Sequence, residues 1–383
     1  TDCNITVDRV EYQAGTSGSV TGGNWGSTAL NVYVDDLVVD QLSSVGNVHV
    51  TGSNSPLSHL GTAGHVTLNG AALSLTDSTV VGVTVGNAFS PVVTGNTITG
   101  SNPIYCRAEY LDYLLANNTL STPVDSTVHI TGGLLSRDDT WGLISGVTQY
   151  SLESASLTIT SGAALTVATG VSVVQNSSLS LTVDGSLVLE PDSEWIGSGV
   201  TSPMTVNGSL VLGSAARLQV ARNSVLTVNG TMTAVDTGWI RLYDYYSDSG
   251  IQVYGDLTLT NTPVEGLSNR TSYIGVYTGG QFTATDCNIT VDRVEYQAGT
   301  SGLIDASILG TTPLRIAAGN VEVLRSDISG SIAVQSASPT LRDNHLRTGS
   351  TVTVTGNADL HIDAIANFWD TIDATAIASR ITD

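Results

Sequence analysis

Lysine is absent from this 383-residue chain: all 13 basic residues are arginine, set against 34 acidic ones. That absence removes Schiff-base chemistry, a phosphate-loop lysine, a lysine general base and lysine-derived isopeptide cross-links. A formal charge of −21 offers no basic face, so neither nucleic acid nor an anionic membrane is expected as a partner. No apolar run reaches the ~18 residues of a membrane-spanning helix, and membrane insertion is not expected. Phe (3), Met (2) and Cys (3) are scarce and long helical patterns are almost missing. No signal peptide stands at the start, where the chain opens on Thr1 inside a strand-like phrase; truncation or processing is the expected reason.

What the chain has instead is Val, Thr, Ser, Gly, Leu and Asn arranged with a period. Gly185, Gly208, Gly230, Gly255, Gly280 and Gly302 recur at intervals of 22 to 25 residues. Alternating apolar pairs follow them: Leu187 and Leu189, Leu210 and Leu212, Met232 and Ala234, Leu257 and Leu259, Phe282 and Ala284. In the sixth member the pair is the adjacent Leu303 and Ile304, and Val183, Val206, Val228 and Val253 form a second column two residues before the first four glycines. A fixed period with strand alternation inside it is the mark of a solenoid, whose repeats bury apolar positions only by stacking on one another. At about 23 residues per turn the expectation is a single all-β solenoid over 1–383 of roughly 16 rungs. The turns are most regular over 162–302 and irregular, with long loops or an interruption, over about 101–160.

Residues 1–18 and 285–302 are identical, TDCNITVDRVEYQAGTSG, and the two copies part completely at the next residue. Slow divergence leaves scattered identities, so this sharp edge points to recent recombination or gene conversion, or to an assembly error, and to a longer parent with near-identical modules. Other phrases, SPVVTGNTITG at 90–100, LLANNTLST at 114–122 and SPTLRDNHLRTG at 338–349, place Asn96, Asn118 and Asn344 where a left-handed turn residue is expected.

These glycine-anchored turns and SPxxxxNxI-like phrases resemble right-handed parallel β-helix repeat proteins of bacterial and archaeal cell surfaces. The ending Asn367, Phe368, Trp369, Asp370, Thr371 is similar to the Asn-Tyr/Phe-Trp-Gly-Thr segment that closes such domains, with Asp370 in place of the glycine. The resemblance implies a right-handed parallel β-helix, an extracellular or cell-surface location and a closing segment at 367–383 that normally runs on into further sequence. There Asp373 is expected to cap a short helix through Ile377 to Ile381 lying over the last turn. Nothing comparable precedes Ile5 and Val7, so the N-terminal end predicts either upstream turns or end-to-end packing on another subunit.

Because parallel β-helices also host polysaccharide lyases and glycoside hydrolases, paired acids matter. Asp138 and Asp139, beside Arg137 and Trp141 and with Gly64 and His65 far upstream, are the catalytic candidates; Asp35 with Asp36, and Asp244 with Asp248 among Tyr243, Tyr245 and Tyr246, are the candidates for calcium or a sugar platform. No other cofactor is implied, and the histidines show no metal-ligand spacing. Seven sequons, at Asn4, Asn117, Asn176, Asn207, Asn229, Asn269 and Asn288, are the N-glycosylation candidates. Cys3 and Cys287 hold the same place in the duplicated phrase about 12 turns apart, on the order of 58 Å, so they cannot pair within one straight rod. Cys3, Cys106 and Cys287 are therefore read as buried free thiols or as donors to an intermolecular disulfide. The function expected is a non-enzymatic structural solenoid, a self-assembling or adhesive module of a surface protein, sheath or filament, with itself and surface glycans as partners. The alternative is a carbohydrate-active enzyme or glycan-binding module using the 101–150 or 240–250 loops.

Overall fold

The computed structural model describes the chain outside residues 1–3, 14, 17, 87–90, 177, 244–247, 268–270, 357–362, 364–365, 371–373 and 383. The chain winds as an all-β parallel solenoid of about 15 turns, with two short helices among the described residues. Its contacts fall into two compact units, Thr1–Leu134 with Thr140–Ala155, and Leu135–Asp139 with Ser156–Asp383.

In the first unit, apolar residues one turn apart stand in register and form inward columns. Leu30, Val48, Val66, Val83 and Ile104 make one, and Val39, Leu57, Leu75 and Val93 another. Each is at most 1% exposed, and burying such a side chain contributes about 2 kcal/mol. In the interval expected to carry long loops or an interruption, the interruption is a helix, α1 (Ala108–Asn117), which buries Ala108, Leu111 and Leu114. Their three-residue spacing is a helical stripe, and it is interposed between the strands Ile104–Cys106 and Thr119–Leu120. A register shift between Ser126 and Thr127 marks the same irregular stretch.

In the second unit the register runs without a slip from Leu165 through Leu187, Leu210, Met232 and Leu257 to Phe282. The glycines of the ladder are there because of close approach: a Cβ at Gly208 would stand 1.9 Å from the Gly185 carbonyl oxygen, and one at Gly230 2.1 Å from that of Gly208. Gly302 is not their sixth member. It pairs with Phe282 in the inward column, so the inward pair of that turn is Gly302 and Ile304 rather than Leu303 and Ile304.

The turn asparagines also differ from expectation. The left-handed residues are the ones just before them, Gly95 (φ 71°) and Asp343 (φ 57°), and in the same column Asp236, Asn261, Asp286, Ala306 and Arg325. Asn118 is extended at φ −133°. Asn96, Asn118 and Asn344 instead point inward and tie successive turns together. The Asn96 Oδ1 accepts from the Ser78 N–H at 3.0 Å, and the Asn344 Nδ2–H donates to the Val323 carbonyl at 2.8 Å. Short polar side chains suit this place because they satisfy backbone groups that a buried corner would leave bare.

In the duplicated phrase, the segment Arg-Val-Glu-Tyr is a strand in both copies, in different surroundings. Arg293–Tyr296 is paired on both sides, with Tyr273–Val276 and with Leu314–Ile316. Arg9–Tyr12 is paired with Ala29–Val32. Val291 is 6% exposed whereas Val7 is 53% exposed, and Ile289, Val294 and Tyr296 are fully buried while Ile5, Val10 and Tyr12 are not.

At the far end, α2 (Ala374–Ala378) is shorter than the expected helix, and Ile381–Thr382 is a strand paired with Val352 and Thr353. Asp373 and Thr371 lie outside the described residues. Asp370 does not need the conformation of a glycine: it is absent from the left-handed residues, and its carboxylate binds His345 Nε2 at 2.6 Å and the Thr348 N–H at 2.7 Å.

Candidate functional site

Two of the acids singled out by sequence, Asp138 and Asp35, serve the backbone. Asp138 Oδ1 accepts the Ala164 N–H at 2.9 Å, and Asp139 opens the strand Asp139–Trp141. Trp141 is fully buried and stacks on Tyr150, with ring centroids 5.3 Å apart, and the Tyr150 hydroxyl donates to the Gly142 carbonyl at 2.7 Å. Asp35 Oδ1 accepts the Ser53 N–H at 2.5 Å, and Asp36 is a left-handed corner at φ 59°. Asp248 is exposed, while Asp244, Tyr245 and Tyr246 lie outside the described residues. Among the described residues, no three His, Cys, Asp or Glu side chains converge as a metal site.

Around the 240–250 segment, the aromatic and basic groups stack along the turns. The Arg241 guanidinium lies 4.2 Å from the Trp239 ring centroid and its Nε–H donates to Glu265 Oε2 at 2.9 Å. Arg222 lies 4.7 Å from the Tyr243 ring. Tyr254 and Tyr277 stack at 4.8 Å, one turn apart. This spacing equals that of adjacent strands, so the two rings lie face to face on neighbouring turns.

Of a cluster of titratable side chains in the first unit, sequence singled out His65 but not Tyr105, His129 or Glu153. In one outward column, Thr67, Thr84, Tyr105, His129 and Ser151 stand in register. Tyr105 and His129 are stacked with centroids 4.0 Å apart and planes 3° from parallel. His129 Nδ1 meets Glu153 Oε1 at 2.7 Å and its Nε2 meets Asn102 Oδ1 at 3.1 Å, while the Ser151 hydroxyl donates to the same Glu153 oxygen at 3.1 Å. His65 Nε2 lies 2.6 Å from Thr84 Oγ1 and its ring sits edge-on to Tyr105 at 5.8 Å. Burial holds His65 below its ordinary pKa, and burial together with the Glu153 charge raises the Tyr105 phenol. The signal lay in spacing: 84, 105, 129 and 151 are each one turn apart. These groups are bonded to one another across turns, an arrangement that fixes register.

The sequons divide by what their amides do. Asn229 Nδ2 donates to Asn207 Oδ1 at 2.8 Å, and Asn207 Nδ2 donates to Asp184 Oδ1 at 2.7 Å, so both serve an outward ladder. Asn117 Nδ2 donates to the Tyr113 carbonyl at 2.8 Å, and the Asn176 Oδ1 accepts from Ser198 at 3.2 Å. Asn4 and Asn288 are exposed; Asn269 lies outside the described residues.

Cys106 and Cys287 are buried, 0% and 2% exposed, the setting expected of buried thiols. Cys3 lies outside the described residues. Cys287 continues the polar corner column: its thiol donates to the Thr285 carbonyl at 3.2 Å, and its N–H donates to Ser307 Oγ at 3.1 Å. Burial raises that thiol's pKa.

An open groove of about 450 Å³ lies in the first unit, between residues 4–8 and 24–28. It is lined by the duplicated phrase and by the turn that follows it. No family model matches this chain, and no curated protein or solved structure matches it.

Proposed function

We propose that the chain is a structural solenoid, an extracellular scaffold module of a surface, sheath or filament protein that uses its turns to build length and its ends to associate. The observation that carries this reading is the use made of its outward chemistry. Glu194 with Arg217, Arg241 with Glu265, Asp184 with Asn207 and Asn229, and Tyr105 with His129 and Glu153 each bond or stack to the neighbouring turn. An enzyme of this fold needs acids that converge on a groove, whereas here Asp35 and Asp138 accept backbone N–H groups and Glu194 and Glu265 pair with arginines of neighbouring turns. The charge of −21 fits a solvated exterior surface, and the exposed Asn4 and Asn288 sequons fit the same setting. Electron microscopy of the purified chain, alongside release of reducing ends from acidic and neutral polysaccharides, tests the reading. Ordered assemblies without cleavage support it; turnover of a polysaccharide by monomers overturns it.

A further inference from the structure

Tyr254 is 43% exposed although one face of its ring is covered. The cover is Tyr277 of the following turn, whose ring lies 4.8 Å away and 15° from parallel. Tyr277 in turn lies against Gly275, where a Cβ would stand 3.0 Å from its ring. Beside it, Tyr273 fills the space over Gly250, and its hydroxyl accepts from the Gln252 Nε2–H at 2.9 Å. This packing holds Tyr254 in place from behind, and its second face looks back over the preceding turn.

That turn and the two before it form a polar floor. Thr182, Thr205, Thr227 and Gln252 stand in register on the outward side of their strands. Asp184, Asn207, Asn229 and Tyr254 make a second outward column, each following a member of the in-register set Val183, Val206, Val228 and Val253. Asn207 and Asn229 are exposed, and each uses one of its two Nδ2 hydrogens in the ladder that runs to Asp184. The next residues are Gly185, Gly208, Gly230 and Gly255, so the corner raises no side chain beside the amides. Three steps of about 4.8 Å separate Asp184 from Tyr254, a length of about 14 Å. Tyrosine reaches farther from the backbone than asparagine, so the ring ends the floor as a step. Hydroxyls and amides lie below at strand spacing, and an aromatic face stands across one end.

We propose that this step on the second unit is a binding site for a neutral, β-linked oligosaccharide. One pyranose ring stacks on the open face of Tyr254, and the units that follow it lie along Asn229, Asn207 and the threonine column. A pyranose presents C–H groups on its face, which suit the electron-rich face of an aromatic ring, and hydroxyls around its rim, which pair with amides and hydroxyls. Charge selects against acidic sugars: Asp184 is the only charged residue in the two columns, and no arginine stands in them. Floor and wall are built on packed strands before any ligand arrives, so little ordering opposes binding. Sequence pointed to Tyr243, Tyr245 and Tyr246 for a sugar platform; the step uses Tyr254 with asparagines 22 to 25 residues apart along the chain. The inference goes beyond the scaffold reading, which requires no ligand.

The test is isothermal titration of the full chain, produced in a host without N-glycosylation so that the Asn207 and Asn229 sequons stay bare. Cellohexaose, mannohexaose and chitohexaose are the neutral β-linked probes, and hexagalacturonate is the acidic one. At least one neutral probe is expected to bind, and hexagalacturonate to bind at least about tenfold more weakly. Tyr254→Ala, checked for an unchanged circular dichroism spectrum, is expected to weaken the neutral probe at least about tenfold, and Tyr254→Phe, which keeps the face, to stay within about threefold of the parent. Thr205→Val, which removes one floor hydroxyl at similar shape, is expected to weaken it about threefold. Failure of all three neutral probes to bind, tighter binding of hexagalacturonate, or a folded Tyr254→Ala chain that binds as the parent does overturns the proposal. A Tyr254→Phe chain as weak as Tyr254→Ala overturns the stacking, and an unaffected Thr205→Val chain overturns the placement of the floor. Reducing ends released from a bound probe would sink the scaffold reading and leave this site standing, whereas ordered assemblies that bind none of the probes would do the converse.

Discussion

The ring of Tyr296 occupies the space beside Gly302: a Cβ on that glycine would lie 2.5 Å from Tyr296 Cε1 and 2.3 Å from the Phe282 carbonyl oxygen. The Tyr296 hydroxyl donates to the same carbonyl at 3.2 Å, and burial drives its pKa far upward, so it stays neutral. Gly302→Ala is therefore expected to destabilise the chain by about 1–3 kcal/mol, read from urea unfolding. Adding Tyr296→Val, the residue type of its in-register neighbour Val276, should recover the part of that loss owed to the ring. Full additivity of the two changes would refute the coupling.

Gly230→Ala should be more severe, because its Cβ would meet only backbone, the carbonyl oxygens of Gly208 at 2.1 Å and Asn207 at 2.3 Å. No rotamer change relieves that contact. A loss of about 3 kcal/mol is expected, and a change below about 0.5 kcal/mol would mean that the turns stack less tightly than described.

Cys287 occupies a place that Ser307, Ser326 and Asn344 occupy in later turns. Cys287→Ser is expected to unfold within about 1 kcal/mol of the parent, since a hydroxyl replaces a weaker donor to the Thr285 carbonyl. Cys287→Val, which has no donor, should cost about 1–3 kcal/mol. Native-state labelling with a maleimide should leave Cys106 and Cys287 unmodified.

Stability should fall with acid in two windows. His65 is a base held below its ordinary value of 6.5, so its unfolded form binds the proton first; stability is lost as pH drops beneath about 6.5 until the lowered folded value is passed. Asp327, held low by Arg347, and Asp370, held low by His345, are acids whose contribution is present above 3.8 and disappears as pH falls through their lower folded values. His65→Gln should flatten the upper window alone. An unaltered pH profile in that variant would remove His65 as its source.

Arg380 closes the last turn. Its guanidinium stacks 4.7 Å from the Trp369 ring and donates to the carbonyls of Ser350 at 2.8 Å and Leu346 at 3.2 Å. Arg380→Ala should cost about 1.5–3 kcal/mol locally, seen as faster amide exchange over residues 345–355 and a shift in Trp369 fluorescence. Unchanged exchange there would show that the closing turn is held by other contacts.

The solenoid was legible because burial in a stacked coil depends on period alone, and the columns of Leu187, Leu210, Met232 and Leu257 report it directly. Two features escaped for physical reasons. The left-handed corner belongs to Asp343 rather than Asn344 because an inward amide satisfies buried backbone groups and outweighs the turn preference of asparagine. The interruption over 101–160 was legible, but its helical nature was not, because the stripe of α1, Ala108, Leu111 and Leu114, is short and has strand-rich neighbours. The Tyr105, His129 and Glu153 cluster spans 48 residues of sequence and becomes a neighbourhood only once the turn length is known.

The columns of the second unit also bear on how such a chain can change over generations. Each core side chain there relies on the residues one turn before and one turn after it. Genetic exchange that joins one turn to another at a shared column position keeps those pairings, whereas loss of one strand residue would turn a whole face outward. Within the phrase shared by residues 1–18 and 285–302, Arg9–Tyr12 and Arg293–Tyr296 are both strands paired in parallel with a neighbouring turn. A solenoid of this kind is thus open to lengthening and shuffling by whole turns, with heredity working in units that folding already respects.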